Sequence, residues 1–339
     1  MVKFGAPGWS QSMKQELDEK GVVVVEGLLS SLESDTYRQQ YYTWVTNLYP
    51  DGRWPSNMKG LITSFKVGHL EASWAIRLKS KAVFEELWGT GKLWSSIDAV
   101  AIGRPPEDGV TEFAEPGYHW LHVDQGAHKE GLHAYQGGVY LEDTDCDDWC
   151  FQAILGSHKY HQAFCKTFPN AVKMSTITDF YPFEKPGEIK WFEDRGCQVK
   201  RIPAPKGSIV IWDSRTVHAN IRPIKGRQHP GRWRYVTMVS MTPAAWATQA
   251  DLESRREAYN NLKMTTHWSS QDVNVLGEYD IKQVNTVTEL PSNARSREAR
   301  LLAGDLEYDF EDGESNGPEK PKWNTGHREG GWFSWCNII

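Results

Sequence analysis

The chain has 339 residues with a formal net charge of -6, 39% apolar and 24% charged residues, which is long enough to bury a substantial core. No long Lys/Arg run occurs, which excludes a nucleic-acid binder relying on phosphate neutralisation and leaves a small-molecule or peptide partner as the expectation. The longest apolar runs fall short of the ~18 residues that a membrane span needs. Nothing in the sequence sets an oligomeric state.

The opening MVKFGAPGWSQSMKQELDEK lacks the apolar centre of a signal peptide. The five cysteines, Cys146, Cys150, Cys165, Cys197 and Cys336, are odd in number and form no CxxC pair, so reduced thiols and a cytoplasmic location are expected. The ending WCNII puts Cys336 where a prenylation box would have it. Asn337 is not aliphatic and no polybasic stretch precedes it, so an ordinary terminus is the reading taken.

In chain order, MKQELDEKG predicts a helix stopped by Gly21, VVVVEGLL a strand, and Ser30 to Leu48 a second helix with Ser30 or Ser31 as its N-cap. EASWAIRLKSKAVFEELW places Trp74, Leu78, Val83, Phe84, Leu87 and Trp88 on one helical side that Gly89 and Gly91 end. The texture then changes to short runs rich in Val, Ile, Tyr and Trp between Gly, Pro and Asp clusters: SSIDAVAIG, GVYLED, FQAILG, GSIVIWDS and RWRYVTMVSM. That is the cadence of a β-sandwich or barrel. Residues 159–196 break it as a helical or looped insertion over one mouth, and residues 245–262 return to helix. Beyond Thr265 the pattern fades, and LEYDFEDGESNGPEKPKW is acidic and poor in aliphatics, which predicts an exposed tail. The division expected is a domain over 1–248 and an extension over 249–339.

The densest chemistry lies in HWLHVDQGAH, residues 119–128. Strand residues two apart share a face, so His122 and Asp124 point together. The run GSIVIWDSRTVHAN carries His218 on a second strand, and a rolled sheet can bring it to the first two. Two imidazoles and a carboxylate leave open positions on a metal, the arrangement of non-haem Fe(II) oxygenases rather than of a closed zinc site. His119 faces the other way and reads as structural. His128 and His133 fall in a loop, open to substrate contact or to solvent, and His158 and His161 sit around a turn as solvent-facing or turn-bonding groups. In RWRYVTMVSM, Arg232, Arg234, Val236 and Met238 share one side, and an arginine in an apolar barrel requires a carboxylate. A dicarboxylic co-substrate belongs there, with Arg234 preferred over Arg232. Tyr118, Trp120, Tyr135, Tyr140, Trp149 and Trp212 are rings for a pocket or for the core.

Over residues 15–245 the chain resembles the phytanoyl-CoA dioxygenase-like branch of the Fe(II)/2-oxoglutarate oxygenases. The resemblance rests on ELDEKGVVVVEGLLSSLE, HVD at 122–124, GGVYLEDTDCDDWCFQAILGSHKYH, GSIVIWDSRTVHA and RWRYVTM, in that order. It implies a mainly β fold with flanking helices around a double-stranded β-helix (jelly-roll, cupin-like) core. It also implies iron held by His122, Asp124 and His218, 2-oxoglutarate held by Arg234, and O2 as oxidant for C–H hydroxylation. Asn220 stands where the family has a Ser or Thr assisting the same carboxylate. Leu155 replaces a proline, and KGRQHPG lengthens the gap before the arginine, which keeps Arg232 in play. Asp124 blocks the halide site of the halogenating relatives. A catalytically silent β-helix binding module and a cupin-type metalloenzyme without 2-oxoglutarate are the rival readings.

Overall fold

A computed structural model describes residues 1–109, 112–117, 119–185, 187–277 and 284–323. In chain order its elements are β1 (Val2–Lys3), α1 (Trp9–Lys20), β2 (Val22–Glu26), α2 (Ser31–Asn47), β3 (Leu61–Ile62), α3 (Glu71–Trp88), β4 (Leu93–Ser95), β5 (Val100–Gly103), β6 (His122–Val123), β7 (Tyr135–Tyr140) and β8 (Cys150–Leu155). There follow α4 (His161–Thr167), α5 (Pro169–Thr178), β9 (Tyr181–Pro182), α6 (Glu188–Glu193), β10 (Gln198–Ile202), β11 (Ile209–Asp213), β12 (His218–Ile221), β13 (Arg234–Pro243), α7 (Gln249–Asn260) and α8 (Arg297–Ala303).

The local signals act as the residues dictate. Gly21 ends α1 at φ 79°, its N–H donating to the Leu17 carbonyl at 2.8 Å. A Cβ there would lie 2.5 Å from both His158 Nδ1 and Thr216 Oγ1, so glycine also allows the close packing. Ser30 caps α2 through a reciprocal pair of bonds with Glu33, a device worth about 1 kcal/mol.

The strands form two facing sheets, one in the order β1-β2-β11-β7-β13-β5-β3 with β4 on β13, the other β10-β8-β12-β6-β9. From β5 onward the chain winds between them, giving the orders β11-β7-β13-β5 and β10-β8-β12-β6. This is the double-stranded β-helix, with helices flanking it. Alternation splits the valine run of β2: Val23 and Val25 join the core under the helices, while Val22 and Val24 face the space between the sheets. Each such fully buried side chain contributes about 1.5–3 kcal/mol. On β13, Val236 and Met238 face the interior and Tyr235, Val239 and Met241 face the helices.

The outer face of the smaller sheet is covered by α4–α6. Val123, Ile154 and Ala219 pack there against Phe164, Phe183 and Phe192. The residues after β13 do not lie apart from the barrel. Thr265 exchanges bonds with Ile97, Ser269 Oγ donates to the Ser240 carbonyl at 2.8 Å, and Thr265 and Val275 form a bridge. The fully buried Arg255 on α7 donates to the carbonyls of Ser95, Ser269, Leu302 and Ala303.

The stretch 306–323, expected to be an exposed tail, is fastened along the barrel as a strap. Its side chains are largely exposed, but Tyr308 Oη donates to the Leu93 carbonyl, Lys92 holds Asp312 and Asn316, and Trp246 Nε1 donates to the Pro318 carbonyl at 2.8 Å. These attachments use backbone carbonyls and isolated side chains, which leave no periodicity to read. Cys336 lies outside the described residues, and Cys146, Cys150, Cys165 and Cys197 are free thiols. Among the described residues no helix is long and apolar enough to cross a membrane.

Candidate metal centre

His218 on β12 is the direct cross-strand partner of His122 on β6, and Asp124 follows immediately. The two ring centroids are 4.4 Å apart. Asp124 Oδ1 lies 3.5 Å from His122 Nε2, and Oδ2 lies 3.4 Å from His218 Nε2. All three residues are buried, and their ligand atoms lie within 4.8 Å of one another. Each imidazole donates from Nδ1 to a carbonyl two residues back, His122 to Trp120 and His218 to Thr216, both at 3.0 Å. That fixes the tautomer and leaves both Nε2 lone pairs facing Asp124. Gln136 Nε2 donates to Asp124 Oδ2 at 2.9 Å and orients the carboxylate.

The electrostatics match a cation site. Burial would raise the Asp124 carboxyl, but the imidazoles of His122, His218 and His267 with the Gln136 amide hold it down at about 2. Burial and the adjacent His122 push His218 down to about 3, so its ring is neutral and its lone pair available at neutral pH. Two other acidic clusters differ. In the cluster of His128, Asp179 and Asp272 the Lys129 ammonium already pairs with both carboxylates. Asp145 and Asp148, in the third cluster, pair with Arg232, and Asp148 also pairs with Arg227. Among the described residues no lysine or arginine pairs with Asp124.

Arg234 opens β13 on the interior face and is 2% exposed. Its Nη2 donates to Asn220 Oδ1 at 2.8 Å and to Tyr140 Oη at 3.3 Å, bridging the two sheets. Its Nε is buried without a hydrogen-bond partner, and among the described residues no carboxylate pairs with it. A buried guanidinium in that state fits an incoming carboxylate. Arg232 does not share the position. The strand begins at Arg234, and Arg232 turns outward to Asp145 at 2.8 Å and Asp148 at 2.6 Å. The seven residues KGRQHPG fold around Arg227, which is held by Glu107 and Asp148, and this takes up the extra length.

The aromatic candidates separate. Trp212 and Phe151 pack on the His218 ring at 5.1 and 5.6 Å, and Tyr140 lies against Arg234. Trp120 stacks on His122 at 4.6 Å. Tyr135 instead packs on Trp88 in the helix-side core, and Tyr118 lies outside the described residues. Trp149 lines a cavity of about 440 Å3 with Trp54, Lys59, Arg104 and Arg222, beside Gly103, the strand partner of Arg234.

His128 and His133 are neither solvent-exposed nor in the cavity; both are buried in the wall 125–133 that follows Asp124. Gln125 donates to the carbonyls of Lys129 and Gly131 and accepts from Ser214 Oγ. Lys129, fully buried, pairs with Asp179 and lies 3.3 Å above the Trp268 ring. Trp323 of the strap packs on His128 and His133 and bridges to Lys129. His158 and His161 bond backbone carbonyls, of Asp18 and Gln125, from buried positions rather than facing solvent. His119 is half-buried and takes no part in the cluster.

Sequence reasoning missed Gln136, Asp98 and His267. Burial raises the Asp98 carboxyl to about 7, with Asp124 adding to the effect. Burial lowers His267 to about 4 against the pull of Asp124. Gln136 was findable, since alternation puts it on the interior face with Gly138 and Tyr140. Asp98 and His267 belong to no motif.

No family model matches the chain. A curated relative, "Ava biosynthesis cluster protein O" of Aspergillus versicolor, is 24% identical over 281 residues, covering 77% of this chain and 88% of its own. Among solved structures, GlcNAc Inducible Gene 2 (GIG2) of Candida albicans aligns over 91% of this chain and 79% of its own with 13% identity and a TM-score of 0.59, a likeness of fold. The epimerase SnoN of nogalamycin biosynthesis, in complex with Fe3+, alpha ketoglutarate and nogalamycin RO, aligns over 70% of this chain and 85% of its own, with 18% identity and a TM-score of 0.46. Solved structures similar to this chain thus include non-heme, 2-oxoglutarate-dependent iron enzymes.

Proposed function

We propose that the chain is an Fe(II)/2-oxoglutarate-dependent dioxygenase of the phytanoyl-CoA dioxygenase-like branch that oxidises a C–H bond of a small organic molecule. One observation carries the reading: a buried carboxylate faced by two imidazoles and, among the described residues, by no lysine or arginine, inside the same barrel as a buried arginine that pairs with no carboxylate of the described residues. The first asks for a cation and the second for a carboxylate.

His122 and His218 would hold the metal through Nε2 and Asp124 through its carboxylate. Ferrous iron and the keto acid, when bound, supply with O2 an oxidant able to take hydrogen from a C–H bond, the keto acid leaving as succinate and carbon dioxide. Arg234 would take the far carboxylate, with Asn220 and Tyr140 holding the guanidinium in place. Gln136 keeps Asp124 aimed, and Phe151 and Trp212 keep water from the His218 side. The cavity of about 440 Å3 lies within the range of small-molecule sites, and the curated relative is a biosynthesis cluster protein, which also favours a small substrate.

Anaerobic titration with Fe(II) and then 2-oxoglutarate tests the reading. A weak visible charge-transfer band that saturates at one equivalent is expected, followed by succinate on admission of oxygen. A band that never forms would leave a catalytically silent module, and metal binding without keto acid binding would leave a cupin-type metalloenzyme.

A further inference from the structure

We propose that His267, supplied by the segment after the barrel, is a further catalytic residue whose Nε2 hydrogen-bonds an oxygen atom held at the metal centre, either a water or a carboxylate oxygen of the keto acid. The inference rests on the metal reading of His122, Asp124 and His218.

The placement follows from three links. Gln136 donates to Asp124 Oδ2 at 2.9 Å; its Cα partner across the sheet is Ser240; and the Ser240 carbonyl accepts from Ser269 Oγ at 2.8 Å. Residues 265–275 are thereby fastened to β13 at the position opposite Gln136, with further bonds from Thr265 to Ile97 and from Arg255 to the Ser269 carbonyl. His267 sits within this bridged stretch. The Asp124 carboxylate is among the groups that act on its ring, opposing the effect of burial.

His267 is not a member of the cluster whose ligand atoms lie within 4.8 Å of one another, so it stands beyond the ligands rather than among them. Its Nε2 is nonetheless buried and has no hydrogen-bond partner among the described residues. A buried ring nitrogen left unpaired is costly, and the cost is removed if an exogenous oxygen meets it. Burial keeps the ring neutral at pH 7, so it carries one donor and one acceptor and can serve either oxygen. The rival is plain packing, since the ring lies 4.6 Å from that of Trp268.

The test uses the full chain, metal-free and then loaded anaerobically with Co(II), with and without 2-oxoglutarate, in wild type, His267→Ala, His267→Phe and His267→Gln. Phenylalanine keeps a ring against Trp268 and removes both nitrogens, so it carries the test if the alanine variant fails to fold. Glutamine restores a polar terminus. All folded variants are expected to keep one metal per chain. If water is the partner, the pH midpoint of the Co(II) visible spectrum moves by about one unit in the Ala and Phe variants and returns toward wild type with Gln. If the keto acid is the partner, its dissociation constant rises about tenfold in Ala and Phe and recovers in part with Gln. Unchanged midpoint and unchanged keto acid affinity in Phe would overturn the proposal, as would loss of the metal itself from a folded variant. Wild type that takes up no Co(II) would instead overturn the metal reading beneath it.

Discussion

Two regions meet at Asp124 and treat their polar atoms in opposite ways. In the wall 125–133, most buried polar groups are met by protein: Gln125 makes four side-chain bonds, Lys129 has a carboxylate partner, and His133 Nε2 donates toward two carbonyls, although its Nδ1 has no hydrogen-bond partner among the described residues. In the barrel interior and at its mouth, Trp212 Nε1, Gln136 Oε1, Arg234 Nε and His267 Nε2 are buried and have no hydrogen-bond partner among the described residues. A folded chain tolerates a few such atoms, and those that lie near the His122, Asp124 and His218 cluster are the ones a bound ligand would complete. Satisfied polar groups set shape; unsatisfied ones select a ligand.

That contrast can be broken from either side. Removing a ligand has the largest effect: Asp124→Ala and His218→Ala should abolish metal uptake, measured as metal per chain, with the thermal midpoint of the metal-free protein little changed. His119→Ala should keep the metal. Next comes the wall 125–133. Lys129→Met leaves Asp179 buried without its cation and should destabilise the fold by about 3–5 kcal/mol in urea melts. Arg234→Ala should weaken 2-oxoglutarate by about 1.5–3 kcal/mol, read by titration of the charge-transfer band, since it removes a charge-assisted contact without leaving a protein carboxylate unpaired. Arg232→Ala should leave that affinity unchanged and cost stability alone.

The smallest effect is a slope. Burial pushes His69 down to about 3 while its Nε2 bonds the Lys263 carbonyl at 2.9 Å. An unfolded histidine titrates near 6.5, so between those values the unfolded chain holds a proton that the native chain does not. Stability contributed by the neutral ring is intact above about pH 6.5 and falls with decreasing pH, by at most about 1.4 kcal/mol per unit. His69→Gln should flatten the pH dependence of the urea midpoint between pH 6 and 4 by close to one proton.

The barrel was legible because its signals are local. The valine run of β2, the capping serine at 30 and the glycines at 21 and 89 each encode one element, and alternation alone put His122 with Asp124 and separated Val236 from Tyr235. The same rule misled at Arg232, where it was carried past the start of β13; alternation holds only where a strand exists, and two aspartates outcompeted it. The wall and the strap were illegible for another reason. Lys129, Asp179, Trp268 and Trp323 are distant in sequence, and nothing in the pattern around any one of them names the others. A buried lysine reads like a surface one until its partners are known. His267 was hidden in the same way, in a stretch without periodicity.

Lys129 therefore has a meaning in time as well as in space. The barrel strands end at position 243, but the ring beneath this ammonium arrives at position 268 and the indole that closes over it at 323. A chain emerging from the ribosome in order completes its cylinder well before it completes its rim.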